Sequence, residues 1–139
     1  MDAVRLPDQL TGRKNSKNLS DFIVYRYPSV YYLECKSIHG NTFNINSFTQ
    51  YERLLGKSRI RGIHPCVIIW FVDHDRVIFF PIESVKKMKD EGLKSIHINT
   101  YNQYEHIDIP SKKKRVFMDS NYIPMFEYCK KLDEREVNN

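Results

Sequence analysis

Two short runs open the ordered part of the chain. From Asp21 to Tyr25, and again from Val30 to Lys36, β-branched and aromatic residues predominate, and Tyr27-Pro28-Ser29 between them has turn chemistry. The pair predicts an antiparallel hairpin. A short strand is expected before it, Met1 to Leu6, and another after it, Thr42 to Ile45. At Ser47 the period changes. Phe48, Tyr51, Leu54 and Leu55 recur at helical spacing, and Ser47 with Gln50 has the spacing of a capping box, so a helix is expected from Ser47. Gly62 to Pro65 breaks that pattern. Cys66 to Val72 is a continuous apolar run, the mark of a central strand buried on both faces, and Val77 to Phe80 returns beside it after the turn Asp73 to Asp75. Glu83 to Glu91 reads as a short helix with Val85 and Met88 inward and Gly92 as its stop. Ile107 to Ile109 and Arg115 to Met118 predict a hairpin around Pro110 and the basic run Lys112 to Arg115, and Ile123 to Val137 a closing helix. The fold class is α/β (α+β), a mixed β-sheet flanked by helices.

The chain has 139 residues, which argues for a single domain, 1–139, with a basic arm at 7–20 and a helical tail at 119–139. The arm is expected to be irregular and flexible, since it carries few apolar anchors. No apolar run approaches the roughly 20 residues of a membrane span, so no membrane partner is expected. Three cysteines without C-x-x-C spacing argue against a disulfide framework and for a reducing, cytoplasmic setting. The net charge of +5 is compatible with a polyanionic partner. Neither a Gly-rich phosphate loop nor a nucleophile elbow occurs, so no small-molecule cofactor is expected. His64 and Cys66 have zinc-type side chains but lack two further ligands at sensible spacing.

The chemistry-bearing stretch is the first hairpin. Side chains at i and i+2 of a strand share a face roughly 6.5–7 Å apart, so Glu34 and Lys36 project together and Cys35 points the other way, into the core. One hairpin register sets Asp21 opposite Glu34, and the next register of the same parity sets it opposite Lys36. Either puts all three on one face, and a shift by one residue would remove Asp21 from it. Two carboxylates offer oxygen ligands to a hard divalent cation such as Mg²⁺ or Mn²⁺, and a main-chain carbonyl near Cys35 offers another. Lys36 could orient a water or stabilise developing negative charge. Together these suit phosphodiester hydrolysis. The same pattern also fits a cross-strand salt bridge on a surface hairpin, worth about 0.2–1 kcal/mol. Gln50 could reach back to the carboxylates, or merely complete the capping box with Ser47. Arg13, Lys14 and Lys17 in the arm, and Lys57, Arg59 and Arg61 after the Gln50 helix, are the candidate phosphate contacts. Lys112 to Arg115 reads as a basic turn near DNA or a solvated turn.

The order Asp, turn, Glu-x-Lys, then Gln on a helix resembles the PD-(D/E)-x-K nuclease superfamily. Within it the text is similar to the RecU-type Holliday junction resolvases of Gram-positive bacteria and their phages. The matching stretches are Asp21-Phe22, Tyr32 to Ser37, Phe48 to Glu52, Gly62-Ile63 leading into Val67 to Ile69, and Lys94 to Ile96, within Val4 to Ile98. The resemblance implies a restriction-endonuclease-like core and a Mg²⁺- or Mn²⁺-dependent endonuclease. Such an enzyme nicks branched DNA at four-way junctions in recombination and repair, as a symmetric homodimer. By position, Asp21 and Glu34 would be metal ligands, Lys36 the catalytic lysine and Gln50 a supporting polar residue. Ser20, not Pro, precedes Asp21, and the segment before Asp21 is short for the family's N-terminal helix and stalk. Two alternatives stay open: a DNA-binding module with this fold and little or no catalysis, and another endonuclease of the same superfamily.

Overall fold

The computed structural model describes residues 2–5, 20–114 and 117–138. The arm residues Arg13, Lys14 and Lys17 lie outside the described residues. The architecture is mixed α+β. Six strands form the main sheet in the order β1-β2-β3-β5-β6-β8, where β1 is Asp2–Arg5, β2 Phe22–Arg26, β3 Ser29–Ile38, β5 Ile63–Phe71, β6 Arg76–Pro81 and β8 Ile107–Ile109. β3 and β5 run parallel and the other pairs are antiparallel. β4 (Thr42–Asn44) pairs instead with β7 (Ser95–His97), away from the main sheet.

The apolar run forms β5, as expected for a strand flanked on both sides. It starts earlier than Cys66, at Ile63, and takes in Pro65. Proline is tolerated there because pairing with β6 begins only at Cys66, so the missing N–H breaks no ladder bond on that side. Val67, Ile69, Ile78 and Phe80 point to one face. There they meet Tyr51 and Leu54 of α1 (Tyr51–Lys57) and Val85 and Met88 of α2 (Ile82–Asp90). Leu33, Cys66, Ile68 and Phe79 point to the other face and meet Met125, Phe126 and Cys129 of α3 (Ile123–Asn138). α2 ends as its sequence implies: Gly92 takes φ +84°, and the Leu93 N–H returns to the Met88 carbonyl at 2.9 Å.

Three expectations need correction. No helix starts at Ser47. Ile45–Ser47 is a 3-10 turn, the Ser47 hydroxyl donates to the Asn44 carbonyl at 2.6 Å, and α1 begins at Tyr51 without a side-chain cap from Gln50. The capping box therefore does not form, because its serine is already spent on the preceding turn. The second hairpin is also displaced. Ile107–Ile109 joins β6 in the main sheet, and the hairpin partners are β9 (Ser111–Lys114) and β10 (Phe117–Ser120). Pro110, which has no N–H to give, separates the two pairings, and Lys112–Lys114 lie on a strand rather than in a turn. The tail at 119–139 is helical only from Ile123, since Asp119 and Ser120 belong to β10.

α3 is fastened at its far end by one carboxylate. Asp133 Oδ2 accepts from the Ser29 hydroxyl at 2.7 Å and from His64 Nε2 at 2.9 Å, and the His64 ring stacks on Tyr31. Ser29 is almost fully buried, so losing its acceptor leaves a hydroxyl that water cannot reach. Asp133→Ala is expected to cost about 1–3 kcal/mol of stability, read from urea unfolding. An unchanged midpoint would mean that apolar packing alone holds this helix.

Candidate functional site

The hairpin register decides whether Asp21, Glu34 and Lys36 can act together. Phe22 pairs with Leu33 and Tyr25 with Val30, so the next pair outward is Asp21 with Glu34. The Asp21 N–H donates to the Leu33 carbonyl at 3.1 Å, which continues the ladder past the end of β2. Directly opposed residues of an antiparallel pair have Cβ atoms about 4.5–5.5 Å apart. Of the two registers compatible with the sequence, the one facing the carboxylates toward each other is realised, and Lys36 follows on the same face with Nζ 3.2 Å from Glu34 Oε1. In β5 the residues beside them are Val67 and Ile69, so this is the face that carries α1 and α2.

The electrostatics are those of a site short of positive charge. The Glu34 side chain is only 9% exposed. Burial raises its pKa above the usual carboxylate range, the Asp21 charge adds to the rise, and Lys36 and the Asp21 main chain pull the other way. Asp21 is itself oriented: its Oδ2 accepts the Cys35 N–H at 2.9 Å. One carboxylate is thus pinned by the strand and the other is held in place by a lysine, with oxygen atoms of both on one face. That donor set suits a hard divalent cation. Among the described residues no third His, Cys, Asp or Glu joins them in a metal-sized group. Further ligands would come from main-chain carbonyls, water or substrate, as Mg²⁺ commonly takes them.

Cys35 points away from this face, as its parity requires, but it is exposed rather than part of the core. Its thiol sits at the mouth of an apolar cleft of about 310 Å³ that Phe22, Leu33, Ile68 and Ile123 also line and that α3 leaves open. Burial of the thiol among these neighbours, together with the Asp21 and Glu34 charges, pushes its pKa up to about 12, so it stays protonated at neutral pH. The residue as a whole is open to solvent while its sulfur is enclosed; the sulfur's surroundings govern its acidity.

Gln50 ends up just before α1, half-buried and on the helix-bearing face. Among the described residues no hydrogen bond joins its side chain to Asp21, Glu34 or Lys36. Both roles expected for it are therefore unfilled. Arg59 and Arg61 are exposed and lie between α1 and the start of β5, at the opposite end of β3 from Lys36. Arg61 lines a cleft of about 500 Å³ with Pro28, Ser29, Lys130, Asp133 and Glu134. Neither carboxylate of the pair borders that cleft, and a polymer substrate needs an open surface rather than an enclosed pocket. His64 and Cys66 hold no metal geometry: His64 is bonded to Asp133, and the Cys66 thiol donates to the His64 carbonyl at 3.3 Å.

Two residues of this face were not singled out from the sequence. Tyr32 precedes Glu34 by two positions and Tyr25 lies diagonally across the hairpin from it. The strand alternation that placed Glu34 and Lys36 together places both tyrosines beside them.

No protein-family model matches the chain, and no curated protein matches it. Among the described residues no helix is long and apolar enough to cross a membrane.

Proposed function

We propose that the chain is a divalent-metal-dependent DNA endonuclease of the PD-(D/E)-x-K kind. On this reading it resolves four-way junctions as a homodimer in the cytoplasm of a bacterium or phage-infected host. The observation that carries the reading is the hairpin register, which opposes Asp21 to Glu34 and adds Lys36 on the same face. An ordinary surface salt bridge would need neither a nearly buried Glu34 nor a second carboxylate set against it.

The division of labour follows from the geometry. Asp21 and Glu34 would hold the ion, which when bound polarises a phosphate oxygen and acidifies a water. Lys36, a compact charge that is 30% exposed, is placed to donate to the oxygen on which negative charge grows. Arg59 and Arg61 would neutralise phosphates farther along the strand, each adding roughly 0.9 to the salt slope of binding. A two-fold dimer would present two such sites to the two-fold symmetry of a junction.

The test is a gel assay of labelled four-way junction against linear duplex of the same sequence, with Mg²⁺ or with EDTA. Paired nicks in the junction alone, present with Mg²⁺ and absent with EDTA, are expected. Junction binding without cleavage would favour the binding-module alternative, and no binding would contradict the reading.

The site also has a stability signature. Glu34 titrates higher in the folded chain than in the unfolded one, so its ionised form opposes folding. Below the carboxylate range both states are protonated and there is no penalty. The penalty grows as pH rises through that range and is complete above the folded pKa. Glu34→Gln is therefore expected to raise Tm in metal-free buffer at pH 7, with the gain vanishing toward pH 3. A lowered Tm at pH 7 would mean that the Lys36 pair outweighs the burial penalty.

A further inference from the structure

The face that carries the acidic pair is covered unevenly. Over β5 and β6 it is sealed by α1 and α2. Toward β1 and β2 it is open: Val4 is 52% exposed and Tyr25 47%. Both belong to this face, since Val4 pairs with Ile23, Tyr25 with Val30, and Ile23 with Tyr32. Tyr32 rests one edge against the α1-side core and is otherwise half-buried. The turn at the far end of the hairpin carries Tyr27, 83% exposed. Beyond it lies Arg61, which shares a cleft wall with Pro28, and Gly62, whose carbonyl accepts the Val30 N–H at 2.7 Å.

The stretch therefore has an order: Lys36 and the carboxylates, Tyr32, Tyr25, the Tyr27 turn, then Arg61 and Arg59. From Glu34 to Val30 is four strand positions, about 13 Å at roughly 3.3 Å each. That is close to the length of four stacked bases at about 3.4 Å. Cations stand at both ends and tyrosine rings between them. Asp2, opposite Tyr25 on β1, stands at the outer margin.

We propose that this open half of the sheet face is a track for an unpaired DNA strand, whose bases stack on Tyr32 and Tyr25 and whose phosphates are met by Lys36 at one end and by Arg59 and Arg61 at the other. The proposal rests on the nuclease reading and deepens it: the strand to be cut is presented unstacked from its duplex, as at a branch point. Charge complementarity selects the occupant. A second copy of the same basic face would set like charges together at both ends, whereas a polyanion satisfies both. Aromatic faces take any base, so the track selects for single-strandedness rather than for sequence.

The test uses the full chain in Ca²⁺, with a fluorescein-labelled oligothymidine and a blunt duplex as probes, read by anisotropy. Tyr25→Ala and Tyr32→Ala are each expected to weaken oligothymidine binding about tenfold. Tyr25→Phe should stay within about twofold of the wild type, and duplex binding should be unchanged in all three. Tyr25 is on the surface and its variants keep the fold, which circular dichroism checks. If the alanine variants bind oligothymidine normally, or lose duplex binding equally, the track is wrong. It is also wrong if the wild type binds no oligothymidine, or if sedimentation shows Tyr25→Ala dissociating a dimer, since the face is then an interface between copies. Cleavage in Mg²⁺ is scored separately. Tyrosine-dependent binding without any cleavage keeps the track and removes the nuclease reading, and cleavage with tyrosine-independent binding does the reverse.

Discussion

Replacing Lys36 with alanine is expected to lower Mg²⁺-dependent strand cleavage about 10²–10³-fold while DNA binding stays within a few-fold of the wild type. The two effects separate because they draw on different properties of the side chain. For binding, Lys36 is one cation among several, and its loss should reduce the salt slope by roughly 0.9 and no more. For cleavage its position matters, since Nζ is held 3.2 Å from Glu34 and faces the space the two carboxylates border. The variant also removes one of the influences that lower the Glu34 pKa, and burial and Asp21 then act with less opposition. Glu34 thus ionises at higher pH, so the acid limb of any residual activity should move toward alkaline pH. Lys36→Arg is expected to recover only part of the rate, because a planar fork cannot replace a point charge in this corner. Equal losses of binding and cleavage, with no shift of the pH profile, would make Lys36 an electrostatic surface residue.

The largest stability effect is expected at Phe80. Its side chain is fully buried on β6, in the cluster shared with α1 and α2, and its ring meets Tyr101 edge-on at 6.3 Å. Truncation to alanine removes most of that volume from beneath two helices. Phe80→Ala should cost about 3–5 kcal/mol, a large part of the 5–15 kcal/mol typical of a domain. Phe80→Leu, which keeps most of the volume, should cost about 1.5 kcal/mol or less. Ile60, about half exposed after α1, is the control: Ile60→Ala should stay within about 0.5 kcal/mol. Urea unfolding followed by circular dichroism orders the three. A Phe80→Ala chain as stable as the wild type would mean that this cluster is not the core.

The two predictions depend on features of different visibility. Strand alternation from Asp21 to Lys36 left two registers for the carboxylates, and the hydrogen bond from Asp21 to Leu33 decides between them. The run from Cys66 was legible as a central strand because neighbours on both sides demand apolar residues at every position. The start of α1 was not, because Ser47 can serve either a helix cap or a tighter turn, and the Asn44 carbonyl settles which. The partner of Ile107–Ile109 was missed for a related reason: nearness in sequence favoured the hairpin that Pro110 prevents. The fastening of α3 spans 104 residues between Ser29 and Asp133, a distance over which one sequence carries no pairing signal. Gln50 shows the limit of carrying a role over by position, since its place in the order of motifs did not bring its side chain into hydrogen-bond contact with the carboxylates.

The central claim is that Asp21 and Glu34 together hold a divalent cation. Titration of the metal-free chain with Mn²⁺, reading the free ion by electron paramagnetic resonance, tests it without any substrate. The account predicts a site on each chain that Mg²⁺ displaces, that Asp21→Asn and Glu34→Gln each abolish, and that Lys36→Ala retains. A wild-type chain that binds no Mn²⁺, or binds it as well as the Asp21→Asn chain does, would contradict it.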